Sequence, residues 1–166
     1  EARWFVDASG LSGARLLAQP RTARTDLCAA AQQVRAVLDR GRARAFFEDN
    51  GAAPGDTLCF TGIAGGFSVV NVRLDDEGLS LLTGSIPAEG FPSGPRLLEQ
   101  FLEKHSWVGP RLFGGARAIP LRRPFDRLGS KNVLLLGDSA CQVFSAHGSG
   151  IASGLLGVRA LADTLA

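Results

Sequence analysis

One short stretch narrows the choice of architecture more than any other. From Asn132 to Leu136 the chain is a nearly continuous apolar run, closed by Gly137-Asp138-Ser139-Ala140. A loop then leads to His147-Gly148-Ser149-Gly150, and residues 151–166 carry apolar side chains at helical spacing. A short run without alternation suits a strand of a parallel sheet buried on both faces. Strand, glycine loop and helix in that order predict an open α/β sheet, whose ligands sit beyond the carboxyl ends of its strands.

Other segments read differently. Arg3 to Asp7 predicts a short strand that ends in the turn-rich Ala8-Ser9-Gly10. Thr25 to Arg40, rich in Ala, Gln, Val and Leu, favours helix, with an edge strand as the alternative. Arg42 to Asp49 is helical or irregular, and residues 50–56 form a loop. Leu58 to Ile63, Phe67 to Leu74 and Leu79 to Ser85 are three extended runs, split by Gly65-Gly66 and by Asp75-Asp76-Glu77-Gly78. They predict an antiparallel meander. Ser93 or Gly94 caps a helix from Pro95 to Lys104 with an apolar stripe of Leu97, Leu98, Phe101 and Leu102. Ala116 to Leu121 is a further extended stretch.

Composition excludes several classes. The 166 residues are 45% hydrophobic and 20% charged, enough to bury a core. The 18 basic and 16 acidic side chains are scattered, with no stripe that could track nucleic acid. No run approaches the roughly 18 apolar residues of a membrane span, and the first residues lack the order of a signal peptide. Cys28, Cys59 and Cys141 form neither an even disulfide set nor a metal-binding pair. No metal is expected, and the location is expected to be cytoplasmic, with association at a membrane surface left open. The chain begins at Glu1 and has no Met, so it is expected to be a piece of a longer protein.

The residues with chemistry cluster at the final motif. Asp138, at a strand's carboxyl end, suits hydrogen bonds from ribose or ribityl hydroxyls. Amides around Gly148, Ser149, Gly150 and Ile151 start a helix, lack intrahelical partners and suit an anion or a polarised carbonyl. His147, just before those glycines, is the candidate catalytic residue: it could donate a hydrogen bond or relay a proton near neutral pH, and a loop or capping role competes equally. Cys141 reads as a packed thiol rather than a nucleophile, and His105 as surface or core. Cys59, Phe60, Phe67, Val69, Asn71 and residues 107–113 could line an apolar pocket, with ordinary core as the default. Arg117, Arg122 and Arg123 could steer an anion, with a solvated surface as the default.

Gly137-Asp138-Ser139-Ala140 followed by Gly148-Ser149-Gly150-Ile151 resembles the second FAD-binding motif of flavoproteins related to para-hydroxybenzoate hydroxylase, with the geranylgeranyl reductases as the nearest branch. Val6-Asp7-Ala8-Ser9-Gly10 is similar to the motif after a late strand of the same sheet. The resemblance implies FAD bound by Asp7, Gly10, Gly137, Asp138 and residues 148–151, with NAD(P)H as electron donor. Two departures stand out: Gly13 and Leu16 occupy positions where the family has Ser and Arg, and the Gly-x-Gly-x-x-Gly fingerprint is absent. A flavin-dependent halogenase fits less well, since only Ile119-Pro120 of that family's signature is present.

The expected fold class is α/β with an α+β insertion: part of a Rossmann-like FAD-binding domain in residues 1–24 and 126–166, and an antiparallel-sheet substrate domain in residues 25–125. The resemblance implies an FAD-dependent oxidoreductase that reduces a small apolar or aromatic substrate. A flavin monooxygenase hydroxylating an aromatic substrate is the alternative, and a non-catalytic apolar-ligand module is the second. Its partner would be the missing N-terminal half of the same protein, without which this piece would be inactive.

Overall fold

The computed structural model describes residues 2–144 and 149–165. Eight strands and three helices follow along the chain: β1 (Phe5–Asp7), β2 (Leu27–Val37), α1 (Arg40–Asp49), β3 (Thr57–Thr61), β4 (Ser68–Leu74), β5 (Leu79–Ser85), α2 (Gly94–Lys104), β6 (Val108–Pro120), β7 (Gly129–Ser130), β8 (Val133–Leu135) and α3 (Ile151–Leu165). The class is mixed α/β with two sheets. The chain divides into two compact units, one made of residues up to Leu27 together with those from Ala118 on, the other of Cys28–Arg117. No helix among the described residues is long and apolar enough to cross a membrane.

The larger unit is built on a five-stranded sheet in the order β3-β4-β5-β2-β6. Its meander pairs antiparallel, Cys59 with Asn71 and Asn71 with Leu82, as the alternation of the sequence implies. Val70, Val72, Leu74, Leu79 and Leu81 point to one face and are almost fully buried under α1 and α2. Both helices start where side chains can take up a free backbone amide. Asp39 accepts from the Arg42 amide at 2.9 Å, and Ser93 accepts from that of Arg96 at 3.4 Å. Phe47 from α1, and Leu97, Leu98 and Phe101 from α2, complete the core with Trp107. Thr83 sits inside it, its hydroxyl donating to the Gly94 carbonyl at 2.7 Å.

Three expectations need correction. Residues 27–37 are a strand, not a helix, and lie inside the sheet rather than at its edge. Seven of them pair with β5, from Ala29 opposite Ser85 to Arg35 opposite Leu79. Ala and Gln favour helix by tenths of a kcal/mol per residue, a preference that a ladder between two neighbouring strands overrides. The stretch at Ala116 is the end of a 13-residue strand that begins at Val108. The expected pocket lining is divided by the pleat: Phe60 faces the helices, whereas Cys59, Val69 and Asn71 belong to the opposite face.

The smaller unit holds the order β1-β8-β7, with β1 parallel to β8 and β8 antiparallel to β7. Its core is small, comprising Phe125, Leu135, Ala140 and Cys141 with Leu17 and Leu128 packed against them. Only Leu135 of β8 is buried; Val133 and Leu134 are half-buried, so this strand lacks the two-sided burial expected of it. Phe5 and Val6 of β1 are exposed, as are Ile151, Leu155, Leu156 and Val158 of α3.

Candidate functional site

Parallel pairing of β1 with β8 sets Asp7 opposite Leu135, so the loops that follow both strands leave the sheet on the same side. The Asp7 carbonyl joins them. It accepts from the Leu136 amide at 3.0 Å and from the Ser139 hydroxyl at 2.5 Å. The Leu136 carbonyl, 2.8 Å from the same hydroxyl, shares its single proton, and the Leu136 amide donates to Ser139 Oγ at 3.3 Å, fastening the turn of 3₁₀ helix at Gly137–Ala140. Sequence reasoning did not give Ser139 a role, because its partner lies about 130 residues away in the chain.

The Asp7 side chain is 3% exposed and turned into its own loop. One carboxylate oxygen accepts from the Ser9 amide at 3.1 Å and the Ser9 hydroxyl at 2.5 Å, the other from the Leu16 amide at 3.0 Å. The Ser9 hydroxyl bond, aided by the amides of Leu16, Ser9 and Arg15, holds the carboxyl pKa below its ordinary value against the opposing effect of burial. Gly10 takes φ +87°, where a side chain would be strained. Together with Leu11, Ser12, Arg15, Arg21 and Ser139, Asp7 and Gly10 border an open cleft of about 400 Å³.

Asp138 and Gly150 are brought together across the loop. A Cβ at Gly150 would meet Asp138 Oδ1 at 3.4 Å and the Gln142 carbonyl at 3.6 Å. Gln142 organises this corner. Its Oε1 accepts from the Gly137 amide at 2.8 Å, and its carbonyl accepts from the Ser153 hydroxyl at 2.6 Å. α3 lies close to Gln142 because residue 157 is glycine; a Cβ there would stand 2.8 Å from Gln142 Oε1. The first α-helical bond runs from the Gly154 amide to the Gly150 carbonyl at 2.8 Å, leaving the amides of Ile151, Ala152 and Ser153 without intrahelical acceptors. Phe144 and Ser149 bridge at the base of the loop. His147 and Gly148 lie outside the described residues.

Acceptor and donors thus stand together: the half-buried Asp138 carboxylate beside the positive end of a helix, at the carboxyl ends of two parallel strands. Such a corner can hold a ligand with sugar-like hydroxyls and a polarised carbonyl. No group of three or more His, Cys, Asp or Glu among the described residues could hold a metal ion. Cys141 is buried at φ +55°, and desolvation pushes its thiol pKa up, unlike an activated nucleophile. Arg123 pairs with Asp126, and Arg122 lies 4.7 Å from the centre of the Phe125 ring.

No protein-family profile matches the sequence. No curated protein matches it either. Among solved structures, it superposes on the crystal structure of a geranylgeranyl bacteriochlorophyll reductase-like protein from Thermoplasma acidophilum with a TM-score of 0.67 at 18% identity. The chain has part of that protein's fold. The match takes in 93% of this chain and 38% of the neighbour, so this chain spans less than two-fifths of the neighbour's length.

Proposed function

We propose that the chain is part of an FAD-dependent oxidoreductase of the geranylgeranyl-reductase type, acting on a small apolar or aromatic substrate with NAD(P)H as electron source. The observation that carries this reading is the convergence of Asp138, Gly150 and the start of α3 beyond the carboxyl ends of β1 and β8. On this reading residues 1–24 and 126–166 serve the cofactor and residues 25–125 the substrate. A further segment of the same protein would carry the pyrophosphate-binding fingerprint. The 38% coverage of the neighbour and the exposed apolar residues of β1 support that division.

The residues present fit such a cofactor. Bound there, FAD would supply hydride chemistry. Asp138 would accept hydrogen bonds from the cofactor's sugar-like hydroxyls, while the Ile151 to Ser153 amides would stabilise negative charge at a ring carbonyl. Asp7, its carboxylate occupied by its own loop, would keep Gly10 in place rather than touch the ligand. His147 would supply or relay a proton. The name of the structural neighbour favours reduction over hydroxylation of the substrate.

The test is the visible absorption spectrum of the protein purified natively at its full natural length, beside Asp138→Ala and Gly150→Ala. We expect flavin bands in the first and their loss in Asp138→Ala, which should melt where the flavin-stripped native protein melts. Gly150→Ala should weaken flavin retention while the fold persists, because its Cβ meets only ordinary contact distances within the protein. A protein that neither carries flavin nor takes up added FAD refutes the reading. A hydroxylated rather than a hydrogenated product would move it to the hydroxylase branch.

A further inference from the structure

Gln142 touches both halves of the glycine-loop corner. Its backbone amide donates to the Gly137 carbonyl at 3.0 Å, and its side-chain Oε1 accepts from the Gly137 amide at 2.8 Å. These two bonds close residues 137–142 into a ring that contains Asp138. Cys141 within it holds φ +55°, a left-handed conformation that costs a non-glycine residue energy and persists where its surroundings fix it. Toward α3, the Gln142 carbonyl accepts from the Ser153 hydroxyl at 2.6 Å, with the Gly150 carbonyl 3.2 Å from the same hydroxyl. One turn further along, the side-chain amide lies across Gly157. A Cβ there would stand 2.8 Å from Oε1, 2.9 Å from Nε2 and 3.0 Å from Leu136 Cδ1.

An apolar side chain of similar size could fill this space but not make these bonds. A backbone N–H left without an acceptor costs more than the bond, once made, contributes. The Gly137 amide is two bonds of chain away from the peptide that carries Asp138, so its direction bears on where that carboxylate stands. At the other side, the Ser153 bond holds the first turn of α3, whose amides at Ile151, Ala152 and Ser153 lack intrahelical acceptors. Acceptor and donors that serve one ligand need a fixed separation, and groups locked by their neighbours keep it. Gln142 is the side chain that reaches both.

We propose that Gln142 is the positioning residue of this corner, setting the spacing between the Asp138 carboxylate and the free amides of α3 and thereby the affinity for flavin. The assignment rests on the flavoprotein reading above. The protein at its full natural length, stripped of flavin and titrated with FAD, tests it, with the melting temperature of each apoprotein recorded alongside. Gln142→Ala should weaken FAD about tenfold, the effect of one hydrogen bond. Gln142→Glu keeps an oxygen for the Gly137 amide and should bind within about threefold of the native protein. Gly157→Ala should weaken FAD by displacing the Gln142 amide, and should add little in the Gln142→Ala background, where that amide is gone.

A lowered apoprotein melting temperature with unchanged FAD affinity in Gln142→Ala would mark a purely structural residue and overturn the proposal. So would a loss that Gln142→Glu does not recover, or a Gly157→Ala loss that adds in full to that of Gln142→Ala. If Gln142→Ala does not fold, Gly157→Ala decides, and unchanged FAD affinity there overturns the proposal. A native protein that does not bind FAD instead removes the flavoprotein reading, and this assignment with it.

Discussion

At Asp7 a buried carboxylate is held by two oxygens' worth of hydrogen bonds from Ser9 and Leu16, and the shape of the first loop depends on it. Asp7→Asn replaces a charged acceptor with an amide that cannot accept on both sides, and should cost about 2 kcal/mol of stability. Urea denaturation at neutral pH measures this. The folded carboxyl pKa lies below the unfolded value of 3.8, so the folded state binds its proton less readily. Its stabilisation is therefore complete above 3.8 and disappears as pH falls through the lower folded value. Unfolding midpoints followed from neutral to strongly acidic pH should show an acid slope in the native chain that is shallower in Asp7→Asn; equal slopes would remove Asp7 from this role.

Among the elements, β2 is where local preference and final state disagree. Its Ala29-Ala30-Ala31-Gln32-Gln33 core carries little contrast between the two faces of a strand, so period-two alternation is faint, and each residue by itself favours helix. Only the adjacent β5 ladder makes it extended. The meander was legible for the opposite reason: Val70, Val72 and Leu74 alternate with Val69, Asn71 and Arg73, and Asp75 starts the turn with its side chain accepting from the Glu77 and Gly78 amides at 3.1 Å. Leu81, fully buried against this helix-covered face, anchors the arrangement. Leu81→Ala should cost about 2–5 kcal/mol, the transfer loss plus the cavity left behind. A loss under about 1 kcal/mol in chemical denaturation would mean that the surrounding core collapses onto the site.

For the whole molecule, the two units differ in how fully they bury their apolar surface. The meander unit covers one face of its sheet with two helices, whereas the smaller unit leaves Phe5 and Val6 on an edge strand, and Ile151, Leu155 and Leu156 on α3, open to water. Unpaired strand edges and contiguous apolar helix faces promote association. We expect concentration-dependent self-association of this chain by analytical ultracentrifugation. Leu155→Lys with Leu156→Lys should suppress it without changing the circular dichroism spectrum, because both side chains are more than 60% exposed. Unaltered association in the double variant would move the sticky surface elsewhere.

The sequence alone determined those features whose physics is local. Side-chain alternation delivered the meander, Ser93 with Pro95 marked the start of α2, and the glycine-flanked Asp138 marked a strand end before a helix. The tertiary structure decided what depends on partners distant in the chain. It made β2 a strand through pairing with β5, placed Asp7 beside Leu135 and tied the two loops through Ser139. It also turned the Asp7 carboxylate inward and gathered Phe46, Phe60, Phe101 and His105 around one cavity. Hydrogen-bond ladders and ring contacts join residues tens of positions apart, and no periodicity within a single segment encodes which of them will meet.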